Sequence, residues 1–422
     1  LRDSQLVIRL LQDIKVLSLT LQISKMSACP WSRVLLGSSS PRCETLLLQN
    51  FYSENFVLPE KITLRNEPFK RESKYVGGKV LDPIRGFYDT CILVLDFNSL
   101  YPSIIREFNI CFTTVDKLNP DAYKSKNSKT KGILPRIMKE LLEARNVIKV
   151  ERSKLQNEAN SLKKDSQKHK AIEVNIERLN IKEKAIKLLA NSIYGYLAYK
   201  GSRFQSQELA SLITGQGRMI LTDTVKTMQN MCGSESAVIY GDTDSVMVNS
   251  SVQNIDQAKK KAEELSNAIT KKYNYLKLGI DYIFLKMLLV QKKKYAALVY
   301  NPPEKPKIKN SGLDMVRRDW SALTKTLSEF IINEFMRDRE EKDQDQTVTT
   351  ILNELEAVSA ILRNGGKPLV REGEESKEGE EEVLQSRKYP KGIPIAHLCI
   401  NKALKSPIDK YDPNSKNQPP HV

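Results

Sequence analysis

Two carboxylates one residue apart, Asp242 and Asp244, lie in Tyr240-Gly241-Asp242-Thr243-Asp244-Ser245, flanked by the apolar runs Val238-Ile239 and Val246-Met247-Val248. Bulky and β-branched flanks around a Gly-Asp-Thr-Asp core predict a tight β-hairpin with its acids at the tip. A further acid, Asp96, ends the buried-strand pattern Leu93-Val94-Leu95 and opens Asp96-Phe97-Asn98-Ser99-Leu100-Tyr101-Pro102-Ser103. Carboxylates at strand ends, within reach of one another, make a site for a hard divalent cation. Mg2+ prefers a few such ligands together with substrate phosphate oxygens. That is the inventory of two-metal phosphoryl transfer. An isolated Gly-Asp-Thr-Asp more often serves only its turn; the second acidic strand end favours chemistry.

Cations supply the complement. Arg145 and Lys149 are four apart, and Lys187, Asn191 and Tyr194 stand at i, i+4 and i+7, so each set lies on one helix face. Such cations can clamp a triphosphate, Arg as a fork and Lys as a point charge; taken singly, each pair is equally an ordinary charge pair on a solvated helix. Lys292, Lys293 and Lys294 precede Tyr295 on a predicted strand from Lys286 to Tyr300, where alternation cannot bury all three amines. Phosphate contacts from them would be salt-sensitive and independent of sequence, and Arg317-Arg318 extend the same logic. In Tyr75-Val76-Gly77-Gly78 the paired glycines permit a positive φ or a close backbone approach, or form a simple turn.

The elements that must position these groups follow from pattern. The 422 residues are 40% hydrophobic, enough to bury a core in two or three lobes. Lys and Arg number 67 against 51 Asp and Glu, a net charge of +16 that favours a polyanionic partner. Six cysteines with no CxxC pair suggest neither a zinc module nor a disulfide framework, and point to a reducing compartment. Three histidines lack ligand spacing. The opening 30 residues read as amphipathic helix rather than signal peptide or membrane span, because charges interrupt every apolar run. Leu46 to Pro59 reads as a packed helix and turn, Lys61 to Lys74 as loop, and Asn119 to Lys131 as a polar linker. From 136 to 200 two antiparallel helices are predicted, bridged near Ser161 to His169, too polar all round to be core and projecting into solvent. Gln253 to Tyr273 reads as helix. Beyond Trp320 the pattern is helical to about Arg363, then broken by Gly365-Gly366 and an acidic loop from Glu372 to Glu382. No internal repeat is present.

The Asp96-to-Ser103 segment, the Tyr240-to-Ser245 hairpin and Lys187-Leu188-Leu189-Ala190-Asn191-Ser192-Ile193-Tyr194-Gly195 resemble, in order and separation, the motifs of family B DNA polymerases. Glu107 to Val115, Lys292 to Leu298 and Gly312 to Trp320 are most similar to the alpha branch of that family. The resemblance implies an α+β right-hand polymerase with an antiparallel-sheet palm, helical-hairpin fingers and a mainly helical, incomplete thumb. It divides the chain into the end of an exonuclease-like domain with a connector at 1–60, palm at 61–131 and 201–305, fingers at 132–200 and thumb at 306–422. A chain that starts without Met and lacks the exonuclease body and a cysteine-rich tail reads as a fragment.

By the same resemblance Asp96 and Asp244, with the carbonyl of Phe97, hold two Mg2+ ions, and Asp242 is a supporting catalytic residue. No zinc or iron–sulfur site is expected. Nucleotide binding falls to Ser99, Leu100, Tyr101, Arg145, Lys149, Lys187, Asn191 and Tyr194, with Tyr101 as a steric gate against a 2′-hydroxyl and Tyr194 over the nascent base pair. Nucleic acid falls to Tyr75, Gly77, Gly78, Gly195, Thr243, Lys292, Lys293, Lys294, Tyr295, Arg317 and Arg318. The implied reaction adds dNMP from dNTP to a primer 3′ end. The implied setting is the nucleus, with a primed DNA template, RNA–DNA primers from primase, an accessory B subunit and no membrane. Another replicative or viral family B enzyme, a truncated nucleic-acid-binding chain without activity and an RNA-synthesising enzyme stay open. The stretch Glu151 to Glu183, longer and richer in lysine than usual, and Tyr196 and Lys200 depart from the family pattern.

Overall fold

The computed structural model describes residues 2–60, 77–115, 130–162, 166–313, 315, 320–337 and 344–364, with 386, 388, 389, 393, 394 and 397. Its centre is an antiparallel sheet of seven strands. In chain order these are β1 (Gly86–Tyr88), β2 (Ile92–Phe97), β3 (Val238–Asp242), β4 (Ser245–Asn249), β5 (Leu278–Gln291), β6 (Lys294–Val299) and β7 (Lys307–Ser311). The spatial order is β3-β4-β2-β5-β6-β7, and β1 pairs with the far half of the long β5. β2 reads as an unbroken apolar run because both of its faces are covered. Leu93, Leu95 and Phe97 join the large helical core, whereas Ile92 and Val94 join a second cluster with Ile239, Met247, Phe284 and Met287. Asp96 follows them on that second face, where the apolar lining ends.

Under the first face lie α5 (Leu100–Glu107), α8 (Gln207–Cys232) and α9 (Ile255–Thr270). α9 buries Ala258, Ala262, Leu265 and Ile269, one stripe at helical spacing, and starts where the Asn254 side chain accepts from the backbone N–H groups of Asp256 and Gln257. The N-terminal helices are α1 (Arg2–Asp13), α2 (Val16–Ser27), α3 (Trp31–Leu36) and α4 (Ser39–Tyr52).

The predicted helical pair is α6 (Ile133–Asn160) and α7 (Gln167–Ala198), packed side by side. One expectation needs correcting. The pair is too polar for a core only in its outer half. Ile133, Leu134, Ile137 and Met138 of α6 and Ile186, Leu189, Ile193 and Leu197 of α7 are buried in the main core. α2 also covers α7, with Ile23, Cys29 and Val34 meeting Ala185. Long-range partners that no periodicity records supply this apolar contact.

A second correction concerns Lys286 to Tyr300. It is not one strand: β5 and β6 form a hairpin, Gln291 paired with Lys294 around a two-residue turn of Lys292 and Lys293. Lys293 takes a left-handed φ of 63°. β7 adds to the β6 edge, and α10 (Ala322–Met336) sets Ile332 and Met336 against Ala296 of β6. α11 (Gln344–Arg363) ends where the sequence predicts. Lys61 to Lys74, most of Asn119 to Lys131, Gly365-Gly366 and Glu372 to Glu382 lie outside the described residues. No helix among the described residues is long and apolar enough to cross a membrane.

Candidate active site

β3 and β4 form the predicted hairpin, turning through Thr243 and Asp244. Thr243 is β-branched yet adopts a left-handed φ of 58°, an unfavourable conformation that its surroundings must hold. Its N–H donates to the Lys79 carbonyl at 2.9 Å and its hydroxyl to Asp242 Oδ1 at 3.1 Å. Asp96 faces Ser245 in the β2–β4 register, and the Phe97 N–H donates to the Asp244 carbonyl at 2.8 Å. Main-chain hydrogen bonds therefore make neighbours of acids nearly 150 positions apart in sequence.

Their electrostatics are unbalanced. Burial first, then Asp244, then Asp281 push the Asp96 carboxyl up to about 7, against the pull of Lys187. Burial also raises Asp244; Asp242 adds to this, and Lys187 and Lys293 oppose it. Asp242 itself is neutralised by Lys293, whose Nζ lies 3.1 Å from Oδ2. Asp281 is a site acid that the motif reading missed. Its place in β5, a strand that also carries Lys286, does not single it out; only the β2–β5 register, with Gly279 directly opposite Asp96, brings it to the site.

The helical pair faces these acids with cations, Lys187 of α7 acting on both Asp96 and Asp244. From α6, Arg145 Nη1 donates to Ser99 Oγ at 3.0 Å. Ser99 is at the start of α5 with a left-handed φ of 54°, where its hydroxyl cannot cap the helix and turns instead to Arg145. Tyr101 lies in the first turn of α5, and its ring stacks on Tyr194 of α7, centroids 4.2 Å apart. The two aromatics assigned separately to sugar and base pair thus meet one another. Leu100 is buried, Asn191 is exposed, and Lys149 is half-buried among cations. Glu183 and Arg152, which contact these groups, were not singled out from the sequence. They have the spacing of ordinary helix-surface charges, and only the pairing of the two helices turns them inward.

The Gly77-Gly78 segment runs along the outer edge of β3, where Leu81 N–H donates to the Gly241 carbonyl at 2.9 Å. A Cβ at Gly78 would stand 2.8 Å from the Thr243 side chain and 3.2 Å from Tyr101 Oη, so a close approach requires this glycine. Gly195, inside α7, has nothing within 4 Å of a Cβ. The protein itself does not need a glycine there. The lysine cluster is already engaged: Lys292 pairs with Asp82 at 2.7 Å and Lys293 with Asp242. Lys294 and Tyr295 begin β6, with the Tyr295 ring 6.0 Å from Phe284. Tyr75, Arg317 and Arg318 lie outside the described residues.

Among the described residues no three His, Cys, Asp or Glu side chains form a ready-made metal cage. The donors that do converge are hard oxygens: half-buried Asp96 and Asp244, mutually repelling, beside the Phe97 main chain. A divalent cation would relieve that repulsion, so the residues fit Mg2+ completed by substrate oxygens.

The profile of DNA polymerase family B matches residues 29–422. The DNA polymerase alpha catalytic subunit of Arabidopsis thaliana is 37% identical over all of this chain and 27% of its own length. That of Mus musculus is 35% identical, over all of this chain and 28% of its own. The chain thus spans about a quarter of the length of these curated relatives. Among solved structures, the family B DNA polymerase of the hyperthermophilic archaeon Pyrobaculum calidifontis matches 82% of this chain and 42% of its own, with a TM-score of 0.55 and 26% identity. Strand-end acids, facing cations and a match spanning nearly the whole sequence agree, and this chain belongs to DNA polymerase family B.

Proposed function

We propose that this chain is a template-directed DNA polymerase that adds dNMP from dNTP to a primer 3′ end. The observation that carries this reading is the meeting of Asp96 and Asp244 at adjoining strand ends with Lys187 facing them from the helical pair. The sheet is the palm, α6 and α7 are the fingers, and the helices after β7 belong to the thumb. Asp96, Asp244 and the Phe97 carbonyl would hold two Mg2+ ions. Held there, such ions would supply a lowered pKa at the primer hydroxyl and positive charge for the triphosphate and the leaving pyrophosphate. Asp242, tied to Lys293 and Thr243, keeps the hairpin tip in place. Arg145, Lys149 and Lys187 bind and orient the triphosphate, with Asn191 one turn further along α7. Tyr101 lies under the sugar and excludes a 2′-hydroxyl by contact, while Tyr194 and Gly195 cover the new base pair. The backbone at Gly77 and Gly78 and the Lys292-to-Tyr295 hairpin face primer and template. The likeness to alpha catalytic subunits supports extension of primase-made RNA–DNA primers in the nucleus, beside primase and a B subunit.

Gel-resolved primer extension with Mg2+ tests the proposal, run with DNA and RNA primers on one template. Wild-type chain should extend both, the RNA primer preferentially, and Asp244→Asn should lose roughly 10^3-fold or more in rate while still binding primed DNA. Extension undiminished in the variant would sink the assignment. Salt-sensitive binding without any extension would favour a nucleic-acid-binding chain.

A further inference from the structure

We propose that Glu183 is a positioning residue that gathers Arg145, Lys149 and Arg152 of α6 into one triphosphate clamp and, through Arg145, latches the clamp onto Ser99 beside the catalytic strand. The inference rests on the polymerase reading above and deepens it.

Glu183 is on α7, one turn before Lys187, with its side chain only 12% exposed. It reaches across to α6. Its Oε1 accepts from Arg145 Nε at 3.3 Å and lies 4.0 Å from Lys149 Nζ, and its Oε2 accepts from Arg152 Nη1. Arg152 Nη1 also donates to Asn180 Oδ1 at 2.9 Å, one turn earlier on α7. Arg145, Lys149 and Arg152 stand at i, i+4 and i+7 on one face of α6, so a single carboxylate can reach all three. The far end of the Arg145 guanidinium holds Ser99 Oγ at 3.0 Å. Arg145 is therefore pinned at both ends, to the fingers through Glu183 and to the palm through Ser99.

Charge decides the sign of the effect. Three cations surround one acid, and Lys187 follows one turn further along α7. Burial and then Arg145 hold the Lys149 ammonium below its ordinary range, and Glu183 is the neighbour that opposes them. Without the carboxylate these cations repel and spread, and a triphosphate must gather them again on binding. With it, an excess of positive charge remains in place. Each guanidinium carries five N–H donors and makes two hydrogen bonds here, so donors remain for phosphate oxygens. Glu183 thus organises the clamp without saturating it.

The test compares the wild-type 422-residue chain with Glu183→Gln and Ser99→Ala. Steady-state primer extension and calorimetric titration with inorganic tripolyphosphate are the two measurements. Glu183→Gln should raise the dNTP KM about tenfold and weaken tripolyphosphate by the same factor, while kcat and primed-DNA affinity stay within about threefold. Ser99→Ala, which removes only the latch, should move both quantities the same way by less; it keeps the test decisive if Glu183→Gln fails to fold. An unchanged KM in both variants would overturn the inference. So would a lower KM with tighter tripolyphosphate, since Glu183 would then be competing with substrate. If tripolyphosphate binding by the wild-type chain weakens in Glu183→Gln as expected yet no primer is ever extended, the clamp stands and the polymerase reading fails.

Discussion

The strand-end acids and the helix-borne cations face one another, but they are held in opposite ways. Asp96 and Asp244 sit on short side chains whose backbones are locked by the β2–β4 ladder and by the Phe97-to-Asp244 hydrogen bond. Arg145, Lys149 and Arg152 end long, flexible side chains that only ion pairs and hydrogen bonds hold in place. The first arrangement fixes position but leaves burial and then repulsion from Asp244 uncompensated, which together lift Asp96 to about 7. The second relieves repulsion but fixes position less firmly. A metal site needs the former, because its ligands must already be near coordination distance. A clamp that closes on a substrate and opens again suits the latter.

The sharpest way to break this contrast is at Asp96. Asp96→Asn should abolish extension, by roughly 10^3-fold or more, and at the same time stabilise the metal-free protein. The sign follows from the raised pKa. Below about pH 3.8 the carboxyl is protonated whether the chain is folded or not, so the two proteins differ little. Between there and about 7 the unfolded chain ionises while the folded one resists, so wild-type loses stability as pH rises; above 7 the penalty is constant. Thermal unfolding in chelator from pH 4 to 8 should open a gap in Tm favouring the variant, and added Mg2+ should narrow it for wild-type. Equal Tm at every pH would mean that burial and repulsion impose no penalty on the Asp96 carboxylate at this strand end.

A middle-sized effect is expected on the helical side. Gly195→Ala puts a methyl where the protein leaves open space. It should stabilise the α7 helix by about 0.5–1 kcal/mol yet slow extension several-fold, as read by Tm and single-turnover incorporation. A gain in both would show that nothing approaches Gly195 during the reaction.

The smallest effect sharpens the comparison within one turn. Lys293→Ala frees the Asp242 carboxylate and should reduce the extension rate by about twofold. Lys292→Ala removes an exposed pair with Asp82 and should leave both Tm and extension near wild-type. Equal losses would make the turn a simple phosphate-binding patch.

Much of this was legible without coordinates. Alternation and turn chemistry predicted the acid-tipped hairpin, and an apolar run ending in Asp96 predicted its partner strand. The Lys187-to-Gly195 spacing put its residues on one face of a helix. What could not be read were groups whose partners are remote: Glu183 reaching across to α6, Asp281 joining Asp96 through β5, Gly78 shaped by Thr243, and the break of Lys286 to Tyr300 at Lys293. Tyr101 and Tyr194 were assigned apart and found stacked.

By itself, then, the sequence determined the acid-tipped hairpin, the strand ending in Asp96 and the helix face of Lys187, Asn191 and Tyr194, because periodicity and turn preference are properties of neighbours along the chain. Tertiary structure alone decided which acid meets which cation, since register, helix pairing and burial depend on segments up to two hundred positions apart. Burial by those distant segments is also what raises Asp96 and makes its strand end a place where a cation belongs.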